Sequence, residues 1–169
     1  MPVISNVAFA ALASGALVAT VVDIRVRRIP NALTAAMAGV GIGLAASGAS
    51  GVSLGASIVG FGLGLALMMP GHALGATGAG DVKFMGAVGA IVGPALVVSS
   101  FLFTALAGGV LAIAVAVRRQ RLGETIAGTG RLIAAPGDVK KEIRAANSSS
   151  RFAYGPAIAI GSVLAALIG

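Results

Sequence analysis

Long apolar stretches separated by short polar breaks set the outline of this chain. Residues 1–22 carry no charge, and neither do the 52 residues from Ile29 to Gly80 nor the 34 from Phe84 to Val117. About 20 helical residues cross the hydrocarbon core of a bilayer. The first stretch therefore reads as one span, and each of the other two as a pair. In the second stretch the natural turn is Ser47-Gly48-Ala49-Ser50-Gly51, where turn-forming residues cluster. A second span then covers roughly 32–46 and a third roughly 52–69, the latter ended by Pro70-Gly71. In the third stretch the turn falls at Gly93-Pro94, with Ser99-Ser100 as the alternative. The first choice leaves a short span after residue 83, about 15 Å at 1.5 Å per residue. A last apolar stretch, Phe152 to Ile168, completes an all-α, polytopic membrane protein of six transmembrane helices. The runs do not alternate as the strands of a membrane β-barrel would.

Charge gives the outline an orientation. Arg25, Arg27 and Arg28 follow the first apolar run rather than precede it, so the positive-inside rule puts that connection in the cytoplasm. Six spans then leave both termini outside. Residues 118–151 hold 11 of the 17 charged residues, eight of them basic, and form a basic cytoplasmic loop. Within it Asp138 is a candidate N-cap, and Val139, Ile143 and Ala146 share one face of a short helix suited to the anionic lipid of the inner leaflet. The net charge of +7 follows these loops, so no nucleic-acid partner is expected.

Composition narrows the chemistry. The chain is 57% hydrophobic and only 10% charged, against about 25% charged in soluble domains. Its 26 glycines suit helices that pack closely in lipid. The absence of cysteine excludes a disulfide framework, a thiolate nucleophile and a cysteine-based zinc site. A single histidine, His72, builds neither a metal site nor a Ser-His-Asp triad, so no metal and no cofactor are expected. No internal repeat divides the chain, and residues 1–169 read as one membrane-embedded domain.

Five acidic residues remain, and three of them lie in the basic loop. The other two are Asp23 and Asp81. Each has an ordinary reading: Asp23 as the partner of Arg27 in a helix-end ion pair, Asp81 as the N-cap of the fourth span. Both nevertheless fall on the cytoplasmic side of the proposed topology, and acids at the edge of apolar segments mark functional sites. Two carboxylates that share a water can divide a hydrolysis. One takes a proton from the water while the other, kept protonated by its neighbour's charge, donates to the peptide carbonyl. A helix start and a nearby Lys83 favour the charge on Asp81, which leaves the proton to Asp23. Gly78 and Gly80 would let backbone approach a helix or a substrate strand.

Two motifs, Asp23-Ile-Arg-Val-Arg-Arg-Ile-Pro-Asn31 and Gly78-Ala-Gly-Asp81-Val-Lys83, resemble those of the prepilin peptidases, most closely the short TadV/CpaA type. The resemblance extends to size, span pattern and Tyr154-Gly155-Pro156 at the entry to the last span. It implies an aspartic endopeptidase of the Gly-x-Gly-Asp type with Asp23 and Asp81 as the catalytic pair. Arg28, Pro30, Asn31, Gly78, Gly80 and Lys83 match motif positions. The implied reaction removes the basic leader of type IV or Flp-type prepilins, or pseudopilins, at the cytoplasmic face of the bacterial inner membrane, alongside pilus or secretion machinery. Larger relatives carry a cysteine-containing insertion and also N-methylate the product. This chain lacks that insertion, which speaks against methyltransferase activity. Alternatives are a small transporter or proton relay, a non-catalytic assembly subunit, and a presenilin-like protease of another substrate class.

Overall fold

The computed structural model describes residues 4–118 and 154–169. Most of the basic loop, with the interfacial helix expected near 138–146, lies outside the described residues. Among those described there are five helices and no strand: α1 (Asn6–Val26), α2 (Asn31–Ala46), α3 (Leu54–Ala73), α4 (Ala79–Arg118) and α5 (Gly155–Ile168). Three of them, α1, α3 and α4, are long and apolar enough to cross a membrane.

Local chemistry explains most boundaries. Ser5 and Ser53 cap α1 and α3, their hydroxyls accepting the N–H groups of Ala8 and Ala56. Arg27 stops α1 in the left-handed region, at φ 53°, and its N–H returns to the carbonyl of Asp23. Residues 47–53 form the expected turn, with Gly48 and Gly51 at positive φ. One expectation needs correction. Helix α3 passes through Pro70 and ends three residues later, with Leu74 N–H closing onto the Pro70 carbonyl at 3.1 Å. Proline there costs only the bond to Ala66, near the end of the helix, and does not terminate it. Pro30 stands at the N-cap of α2.

The expected fourth and fifth spans form one assigned helix, broken by a single residue. Gly93 leaves the helical region at φ 79° and ψ 178°, a conformation that L side chains rarely adopt. Contacts on either side show the chain turning back there. Before the break, Met85 and Gly89 abut Gly64 and Gly60 of α3, and Gly93 lies against Val52. After it, Leu96 lies at Gly169, Thr104 at Gly161 and Gly108 at Tyr154, so 94–118 runs antiparallel to α5. No loop is needed for the reversal: among the described residues there are five helices, the fourth made of two antiparallel arms. Ser100, at the alternative turn, is buried inside the second arm.

Pro94 has no N–H to offer the carbonyl of Ala90. The Ser57 hydroxyl of α3 donates to that oxygen instead, at 2.6 Å and fully buried. The arm 79–92 is the centre of the bundle: Phe84, Met85, Ala87, Val88 and Ala90 have no exposed surface. A helix apolar all round belongs inside. Large side chains such as Leu17, Leu106 and Val110 point outward, each about two-thirds exposed at 66–67%, the surface a bilayer would cover.

Helix α3 and this central arm pack tightly, with Gly60 and Gly89 backbone to backbone. A methyl group at residue 60 would strike the Gly89 carbonyl, whereas one at Gly62, on the exposed face of the same helix, meets nothing within 4 Å. Gly60→Ala should therefore cost about 1–3 kcal/mol through overpacking. Gly62→Ala should be neutral or stabilising by about 0.5–1 kcal/mol, as replacing a helical glycine predicts. Thermal unfolding of the two purified variants in detergent compares them, and equal behaviour would contradict the crossing.

Candidate active site

Three connections meet at one end of the bundle. Gly80, in the first turn of α4, packs on Ile29 so closely that a Cβ would lie 3.1 Å from the Ile29 carbonyl. The buried Ile29 sits between α1 and α2, so glycine at 80 lets the α4 start rest on that connection. Lys83 adds a polar tie, its Nζ donating to the Asn31 side-chain oxygen at 2.8 Å. The start of α5 closes the third side through Asp23. At the opposite end, Ser5 bonds to Ala49 and Ser50, beside the α2–α3 turn. Asp23 and Asp81 are thus at the same end of the molecule.

Asp23 lies in the last turn of α1 and is 4% exposed. Its Oδ2 accepts the N–H of Gly155, the first residue of α5, at 2.8 Å. A Cβ on residue 155 would come within 2.7 Å of the same oxygen. The glycine thus supplies both the donor and the space. This replaces the expected ion pair with Arg27, whose bond to residue 23 is backbone only.

Asp81 is in the first turn of α4 rather than at its N-cap. Its Oδ2 reaches back to accept the N–H of Gly78 at 2.9 Å, the return bond of a capping box. Asp81 lies within electrostatic reach of Asp23, His72 and Tyr154. His72 Nδ1 is 3.0 Å from the Thr77 carbonyl, across the loop that presents Gly78. Both aspartates sit on a helix N-terminal N–H, so a helix start does not by itself assign the proton to one of them.

The remaining sequence candidates divide. Asn31, Lys83, Gly78 and Gly80 join or shape the junction. Pro30 starts α2, its carbonyl accepting from Leu33 and Thr34. Arg28 is exposed, and nothing among the described residues gives it a role. Sequence reasoning missed Gly155 as a partner of Asp23. The available signal was Gly155-Pro156, a helix start whose free N–H carries no side chain to shield it.

Two acidic side chains at one end of an apolar helical bundle, Asp23 buried and Asp81 partly exposed, mark the candidate site of a membrane protein. The chain matches the type IV leader peptidase family over residues 10–113, and it belongs to that family. The match includes both aspartates and ends before α5. No curated protein and no solved structure gave a match.

The Gly155 bond separates two substitutions at residue 23. Asp23→Asn keeps an oxygen that can accept the Gly155 N–H and should fold with near-normal stability. Asp23→Ala leaves that buried donor unsatisfied, at a cost of about 1–3 kcal/mol. A difference in detergent unfolding temperature between the two is the check.

Proposed function

We propose that this protein is an aspartic endopeptidase that cuts the basic leader from type IV or Flp-type prepilins, with Asp23 and Asp81 as the catalytic pair. The observation that carries the reading is that the two acids, 58 positions apart in sequence, lie at the same end of the bundle. Each is held there by a backbone N–H. In this mechanism the oxygen of a water adds to the carbonyl carbon of the scissile peptide, and its proton passes to the ionised aspartate. The protonated aspartate gives its proton to the carbonyl oxygen. Collapse of the tetrahedral diol breaks the C–N bond: the protonated aspartate gives its proton to the leaving amine, and a diol hydroxyl gives its proton to the other aspartate, which leaves the carboxylic acid product. The pair then shares one proton again.

Membrane placement follows the same reading. Counting the two arms of α4 separately gives six crossings, with both termini outside and the aspartates at the cytoplasmic boundary beside Arg25, Arg27 and Arg28. The whole chain acts as one peptidase domain, and the basic loop lies against anionic lipid. The arm 79–92 and α5 each have 14 residues, about 21 Å of helix, against about 30 Å of hydrocarbon. Helices that short would begin below the surface and set the carboxylates in a recess. A prepilin offers a leader in water and an apolar helix in lipid, and a recess at that boundary suits the junction between them.

Asp23→Asn and Asp81→Asn should each abolish leader removal while the proteins remain folded in the membrane. The assay is a gel shift of a co-expressed prepilin, repeated with purified enzyme. Full processing by either variant would remove that aspartate from the mechanism. Purified activity should also survive a strong chelator, and its loss with recovery on adding one metal would count against a two-carboxylate mechanism.

A further inference from the structure

The dyad leaves one polar group of the same junction without a task. Tyr154 is the residue immediately before Gly155 and the N-cap of α5. Its position is fixed from three directions. Its carbonyl accepts from Ala157 and Ile158 at 3.1 and 3.2 Å, which locks it to the first turn of α5. The next residue is tied to Asp23. Its ring lies on the second arm of α4 where residue 108 is glycine: a Cβ there would be 2.9 Å from the phenol oxygen and 3.0 Å from the carbon bearing it. The charge of Asp81 reaches the same phenol. The half-buried ring is therefore held between the second arm of α4 and the start of α5, one residue from the Asp23 tie and within electrostatic reach of Asp81.

We propose that Tyr154 is a third catalytic group of this site, its hydroxyl donating a hydrogen bond to the carbonyl oxygen of the scissile peptide as negative charge gathers there. The inference rests on the Asp23–Asp81 reading. The phenol keeps its proton throughout: it donates a hydrogen bond, and the aspartates carry the proton transfers. An ordinary phenol ionises only near pH 10, so the donor form persists at neutral pH. A preorganised neutral donor beside a carboxylate pair adds no further negative charge to the recess. It stabilises charge on the substrate oxygen selectively in the transition state.

The test uses the full-length protein in detergent, with a purified Flp-type prepilin carrying a basic leader as the probe. Tyr154→Phe keeps the ring on Gly108 and removes only the hydroxyl. Its kcat should fall on the order of ten- to a hundredfold, with KM within about threefold and an unchanged unfolding temperature. Wild-type kcat in the Phe variant would overturn the proposal. If Asp23→Asn and Asp81→Asn process normally as well, the dyad reading falls with it. If they are dead, only the role of Tyr154 is lost. A second measurement does not depend on the variant folding. Tyr154 is the single tyrosine of the chain, so biosynthetic 3-fluorotyrosine labels this position alone. Its fluorine resonance should move on Asp81→Asn and on binding a prepilin whose scissile peptide bond has been made uncleavable. A resonance indifferent to both would place the phenol away from the chemistry and refute the proposal.

Discussion

A carboxylate taken out of water into an apolar bundle must be compensated, and here backbone amides do much of the work. Asp23 and Asp81 each accept an N–H at the start of a helix, Gly155 for one and Gly78 for the other. Cations could also stabilise such charges, but a tight ion pair would hold the oxygens and leave them poor bases. An amide at a helix terminus carries a partial positive charge and no proton to give away. The glycines on both sides of the junction follow from this requirement, since each carboxylate must come close to main chain.

The same requirement shapes the rest of the bundle. To present Asp81 in its first turn, α4 must begin at the α1–α2 connection, and Gly80 and the Lys83–Asn31 bond fix it there. To bring the start of α5 to Asp23, the chain has to return to that end after climbing through the core. The reversal at Gly93 accomplishes this within the length of a single residue. Its cost is an Ala90 carbonyl without a helical donor, which Ser57 satisfies from the neighbouring helix.

Uncharged run lengths and turn residues made the helices legible in sequence, and the scarcity of acids singled out Asp23 and Asp81. What stayed hidden was pairing between distant main chain and side chain. Arg27 stands four residues after Asp23 and looked like its partner, yet the partner is an amide 132 residues away. Nothing in local spacing encodes a contact of that range, because it depends on how α1 and α5 pack. Pro70 misled for a different reason. Proline marks the loss of one hydrogen bond, and near a helix end that bond matters little. At Gly93-Pro94 the sequence located the break but not its compactness, since a loop and a one-residue reversal share the same dipeptide.

The Asp23–Gly155 bond also bears on how the protein is made. Both aspartates emerge from the ribosome in the first half of the chain, and α1 to α4 could insert and pack with Asp23 still lacking its amide. Only when α5 is synthesised and docked does the junction close. Until then the chain holds two acids but not a finished site. Folding of the Asp23 end therefore depends on the last helix of the chain, 132 residues further on.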